Sequence, residues 1–350
     1  MKKFSAFLAE DYVVLYEESG KANDDKGKAF ELEFAKAIHP KKEYPTHYRD
    51  ETGKRPHEVA ARIRGDLGGE HYKSIEGHAT KAAAEYRQHL HDKKILHKDK
   101  KPDIVAWTSQ PSDHEKFTGK KDPHTNADTM IRHGRKYRAQ SLKYGAAPGV
   151  RSPGLKDLSS LAKVDHKHAA AHVAAHDAAV DNVMKKHIKS TSKKVRNKDF
   201  REIESSGTPA AKKAATDAQS VSLSHRQALA GHYAKHFGKL STEDMHHVVR
   251  HLTGAEDNVH PHDKVHYDTK RNQVHISNPN EDHKKLVANV HHYSVEHQGT
   301  NVVVHAHDHA GKKHKIMSVQ IKNNSSPMSV VGASVKLAPG HKKLAGKEAA

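Results

Sequence analysis

Between Leu155 and Leu252 the chain is rich in Ala, His and Lys and poor in β-branched clusters, while the stretches on either side alternate apolar with polar residues or run β-branched. Helices repeat every 3.6 residues and strands every two, so one segment cannot satisfy both patterns. The fold must therefore interrupt its strands with a long helical block. That order, helices, strands, helices, strands, places the chain in the α/β or α+β class.

The elements follow from local pattern. In AFELEFAKAIHP, Phe30, Phe34, Ala37 and Ile38 recur at helical spacing and Pro40 ends the run, which predicts a helix over 29–38. Residues 54–93 predict helix, with Val59, Ile63 and Leu67 on one face and an interruption at Gly65, Gly68 and Gly69. Ile104–Trp107 reads as a short buried strand, and 128–132 and 137–143 as strands around the turn His133-Gly134-Arg135. VHYDTKRNQVHIS, TNVVVHAHDH, KIMSVQIKN and MSVVGASVKL read as late strands that extend the first sheet or form a second. Residues 17–28 read as a polar linker and DHEKFTGKKDPHTNAD as a loop. The chain thus divides into an N-terminal segment and linker (1–25), a core (26–150), a basic helical insertion (151–255), a β-rich part completing the core (256–338) and a disordered tail (339–350).

Composition narrows the partners. Of 350 residues, 60 are Lys or Arg and 42 Asp or Glu, a net charge of +18 that favours a polyanion because each neutralised phosphate releases counterions. DNA fits this balance better than membrane headgroups. The densest run, KKHIKSTSKKVRNKDFR, nominates Lys185, Lys186, Lys193, Lys194, Arg196 and Lys198 for DNA contact. No apolar run is long enough to span a membrane. The absence of Cys excludes disulfides and thiolate metal sites. The 35 histidines would add about 17 charges near pH 6.5, making the protein's field sensitive to mild acid.

The hairpin carries the chemistry. Asp128 opens its first strand and Lys143 closes the second, with Ser141 and Lys143 sharing a face and Gln140 on the other. Upstream, Glu31 lies on the apolar face of its helix, a carboxylate aimed inward. An acid, a second carboxylate and a lysine are what metal-dependent phosphodiester cleavage needs: the acids hold a hard cation, Mg²⁺ or Mn²⁺, and the lysine serves the attacking water.

These residues resemble the PD-(D/E)xK nuclease superfamily, and more closely a phage-borne branch of it. The blocks, in order, are Gly27-x-x-Phe30-Glu31, Trp107-Thr108-Ser109, Asp113, Phe117-Thr118-Gly119, Asp122-Pro123, Ala127-Asp128 and Ser141-Leu142-Lys143. The resemblance covers about residues 26–145. It implies a restriction-endonuclease-like mixed sheet flanked by helices and a Mg²⁺-dependent DNA endonuclease. In this chain Ser141 stands where the pattern has a carboxylate. Glu31 is the first candidate to replace it, Asp113 the second; a site that binds without cutting is the third, and Gln140, which faces the wrong way, the fourth. Asp103, which with Pro102 spells the literal PD, is held in reserve behind Asp128.

The N-terminus, MKKFSAFLAE, resembles capsid-targeting propeptides of T-even-type tailed phages, with Leu8-Ala9-Glu10 at the position cut by the prohead protease. That implies a protein packaged in the phage head, in contact with capsid and protease, or otherwise acting in the host cytoplasm. Two readings follow: a DNA endonuclease carried by a phage, or a non-catalytic basic internal capsid protein on a degenerate nuclease fold. His168, His172 and His176 fall on one helical face, and His305, His307 and His309 on one strand face, spacings that suit Zn²⁺ or Ni²⁺. In a chain with one His in ten such spacings also arise by chance.

Overall fold

The computed structural model describes residues 20–45, 49–50, 52–97, 100–108, 111–121, 127–145, 152–189, 193–255, 260–324 and 326–346. The chain is mixed α and β and forms two compact units, one of residues 1–148 and 257–279, the other of 149–256 and 280–350.

In the first unit, helices α1 (Gly20–Ile38), α2 (Pro56–Leu67) and α3 (Gly69–Asp92) precede strand β1 (Ile104–Trp107), helix α4 (Pro111–Thr118) and strands β2 (Thr129–His133) and β3 (Lys136–Tyr144). The chain returns for β4 (His262–Asp268) and β5 (Gln273–Ser277). The sheet order is β1-β2-β3-β4-β5. All neighbours are antiparallel except β3 and β4, which run parallel with Ser141 opposite Lys264 and Lys143 opposite His266. Parallel neighbours need a long crossover, and here the crossover carries the helical block that the composition marks. The β2–β3 turn needs a left-handed residue, which Gly134 supplies at φ +60°.

Helices α1 and α3 bury Phe30, Phe34, Ile38, Tyr72, Ala82 and Tyr86 against Val105, Trp107, Ile131, Leu142, Val265 and Tyr267 of the sheet. A polar network seals one part of this core. Arg138 pairs with the fully buried Asp263, Tyr86 donates to Asp263 at 2.7 Å, and Gln140 donates to Tyr86 at 3.2 Å.

The second unit holds α5 (Leu155–Leu161), α6 (His166–Met184), α7 (Lys193–Ser206), α8 (Pro209–Phe237), α9 (Thr242–Thr253) and α10 (Pro279–Asn289). An antiparallel sheet follows, of β6 (Val290–Gln298), β7 (Asn301–Asp308), β8 (Lys313–Asn323) and β9 (Val331–Leu337), closed by α11 (Pro339–Leu344). Alternate residues Val302, Val304 and Ala306 face a core with Leu229, Tyr233 and Phe237 of α8 and Val248 and Leu252 of α9. Thr208 caps α8 ahead of Pro209, and Ser241 caps α9, which ends at the left-handed Gly254.

Four sequence expectations are corrected. Residues 20–28 are not linker but the first turns of α1, where buried Asp25 is tied to Arg62 at 2.9 Å. Part of the expected 113–128 loop is the helix α4. Of the β-rich part 256–338, only β4 and β5 complete the first sheet, while β6–β9 belong to the second unit. The start of the expected tail is α11, with His341 and Leu344 buried. Leu8-Ala9-Glu10, Ser109 and Asp122-Pro123 lie outside the described residues.

Candidate functional site

Three elements converge on one end of the first sheet. Phe30 is fully buried on α1 and anchors that helix, so the next residue, Glu31, is carried to the sheet's end. There the indole Nε1 of Trp107 donates to Glu31 Oε2 at 3.3 Å. Trp107 pairs with Thr129, which brings Asp128, one residue earlier, beside the end of β1. The backbone of Asp128 is pinned on both sides: Thr108 N donates to its carbonyl at 3.0 Å, and its own N donates to Gln140 O at 2.8 Å. Its carboxylate Oδ2 accepts from Leu142 N at 2.6 Å and from Ser141 Oγ at 3.4 Å, and lies 3.5 Å from Lys143 Nζ.

The charges act on one another. Burial pushes the Glu31 carboxyl up to about 8, the nearby Asp128 adds to that rise, and Lys143 and the Trp107 N–H oppose it. Burial and Asp128 together favour the protonated form of Glu31. A second lysine belongs to the group. Lys264, opposite Ser141 on β4 and partly buried, is pushed down to about 7 by burial and by Lys143, with Asp128 opposing. Sequence reasoning missed Lys264. Its only local signal is a cation in an otherwise alternating strand, and the parallel β3–β4 pairing that delivers it is not visible along the chain.

Among the described residues, the second oxygens of the two carboxylates, Glu31 Oε1 and Asp128 Oδ1, have no hydrogen bond. Among the same residues no group of three or more His, Asp or Glu could by itself hold a metal ion. Two carboxylates with one bare oxygen each do not make an all-protein cage. They do fit Mg²⁺, which takes one or two carboxylates and completes its shell with water and substrate phosphate. Ser141, 6 % exposed, supplies only a neutral hydroxyl here.

The remaining predicted residues lie elsewhere. Gln140 is fully buried and its amide is engaged, Oε1 accepting from Thr129 Oγ1 at 2.9 Å and Nε2 donating to the Arg138 carbonyl at 2.8 Å and to Tyr86. It is removed from the ligand candidates because its strand is not bulged and its side chain faces the core. Asp103 sits at the opposite end of the hairpin, where Oδ2 accepts from Gly134 N at 2.5 Å and caps the turn, so it too leaves the site. Asp113 is buried on α4 with Lys116 3.4 Å away, and it is not among the groups that act most strongly on Glu31.

Of the nominated DNA contacts, Lys185 and Lys186 are exposed at the end of α6. Arg196 is paired with Asp181, and Lys198 lies 3.7 Å from Glu202, so part of that run's charge is neutralised internally. Lys193 and Lys194 open α7. The histidine series divide. His168 and His172 approach His232 of α8, whereas His176 binds Ser222 Oγ at 2.9 Å. His305 and His307 lie on β7 while His309 falls past its end.

Compared with protein-family models, with curated proteins and with solved structures, the chain matches none.

Proposed function

We propose that the first unit is a Mg²⁺- or Mn²⁺-dependent DNA endonuclease of PD-(D/E)xK type. One observation carries the reading: the charges of Glu31 from α1, Asp128 just before β2 and Lys143 from β3 act on one another at one end of a mixed sheet. In this reading Glu31 and Asp128 would hold the cation. The cation, when bound, neutralises the scissile phosphate and makes water a stronger nucleophile. Lys143 orients that water and offsets charge growing on the phosphate. Trp107 and the Leu142 amide fix the two carboxylates, and Glu31 must give up its proton before it can act as a ligand. The overall excess of Lys and Arg supplies sequence-independent affinity for DNA.

A second reading has a specific observation behind it. Ser141 with Lys264 opposite it replaces a carboxylate by a hydroxyl and a cation, which suits a protein that grips DNA without cutting it. Plasmid nicking with and without Mg²⁺ or Mn²⁺ separates the two. The endonuclease reading expects metal-dependent nicking that Asp128→Ala and Lys143→Ala each reduce by at least about a hundredfold, with DNA affinity largely retained. Wild-type protein that binds DNA but nicks none with any divalent metal would transfer the assignment to the second reading. In either reading the resemblance of MKKFSAFLAE to a capsid-targeting propeptide supports packaging in a phage head over action in the host cytoplasm; mass spectrometry of virion protein is then expected to find a chain beginning at Asp11, and an intact Met1 or Lys2 terminus counts against packaging by this route.

A further inference from the structure

At the turn end of the hairpin, away from Asp128, the first unit has a cavity of about 510 Å³. Lys93, Lys94, Arg135 and Lys136 line it and are exposed. None of these four makes a side-chain hydrogen bond or ion pair among the described residues. Arg138, also in the lining, is by contrast spent on Asp263. Among the described residues no acid lines the cavity. Its floor includes the buried Leu96 and Ile131. Its wall includes two rings, Tyr137 and His260, with centroids 5.2 Å apart.

Four unspent cations around one cavity call for an anion. A lone phosphate would leave most of the volume and the whole apolar floor unused, since cavities of this size take ligands well beyond a single ion. Rings beside cations suit an unpaired base with its phosphate. We propose that this cavity seats one unpaired nucleotide of a nucleic-acid strand, with the base against Tyr137 and His260 and the flanking phosphates on the four cations. β2 separates the cavity from Asp128 by five residues, about 17 Å at strand rise. A strand held here reaches the carboxylates after about five nucleotides at duplex rise. The proposal rests on the nuclease reading only for that alignment; the binding itself does not require cleavage.

The test is fluorescence anisotropy of labelled dT12 with the full chain in EDTA, so that loss of cleavage and loss of binding are read separately. Lys93→Ala/Lys94→Ala should weaken dT12 binding about tenfold and lower the salt slope by about 1.4. The control pair Lys41→Ala/Lys42→Ala, exposed and equal in charge change, should leave affinity within about twofold. Tyr137→Leu should weaken dT12 about fivefold or more and leave inorganic polyphosphate binding unchanged. Equal losses for the two lysine pairs would overturn the seat, as would dT12 and polyphosphate responding alike to Tyr137→Leu. Displacement of dT12 by dTMP at equal nucleotide concentration would assign the cavity to a free nucleotide instead of a strand. Should Tyr137→Leu fail to fold, judged by Trp107 emission, the lysine pairs alone decide.

Discussion

Glu31→Gln should make the first unit more stable, and the gain should depend on pH. Folding raises the Glu31 carboxyl from 4.5 to about 8, mainly by burial. Between those values the folded chain binds a proton that the unfolded chain releases, so this group's contribution to stability falls as pH rises. At pH 7 the interval traversed above 4.5 is 2.5 units, and at 1.36 kcal/mol per unit the cost is about 3 kcal/mol. At pH 4.5 it is well under about 1 kcal/mol. Gln keeps an oxygen for the Trp107 N–H and cannot ionise, so the variant should gain roughly those amounts. The chain's one tryptophan is Trp107 itself, in the first unit and hydrogen-bonded to Glu31. Urea unfolding followed by its fluorescence therefore reports on the right unit. A variant less stable than wild type at pH 7, or one with the same gain at pH 4.5, would refute the argument that the fold holds this carboxyl against its own ionisation.

Acid should act oppositely on the second unit. There His283 is pushed down to about 4 by burial, with Arg250, His246, His341 and His247 adding to the effect. Its contribution is therefore present above 6.5 and lost as pH falls toward 4, by about 3 kcal/mol; hydrogen exchange of Val302–Ala306 should show that loss, and His283→Gln should blunt it. In the first unit, Asp263→Ala leaves Arg138 partly buried without its partner and should cost about 3–5 kcal/mol, read as a lower urea midpoint of Trp107 emission. Ser141→Glu places a third carboxylate beside Asp128. If Glu31 already fills the second ligand position, nicking activity should fall, and a rise would show that Glu31 does not fill it.

Local pattern made much of this protein legible. The helix ending before Pro40, the break near Gly68 and the hairpin around Gly134 all depend on neighbours a few residues apart, and such interactions are written along the chain. So is the inward direction of Glu31, because helical periodicity alone puts it beside Phe34 and Ile38. Polarity misled where tertiary partners compensate it. Asp25 sits in a helix rather than a linker because Arg62 pairs with it, and α11 stands where a tail was expected because His341 and Leu344 are buried. The membership of each sheet was decided only in three dimensions. Every late strand has a similar alternating pattern, and which edge it joins depends on side-chain burial against elements far away in sequence. That is why β4 and β5 complete the first sheet while β6–β9 form their own. The parallel pairing of β3 with β4 also brings Lys264 opposite Ser141 and Asp263 to Arg138. Composition and period chose the residues able to do chemistry; long-range strand pairing chose which of them meet.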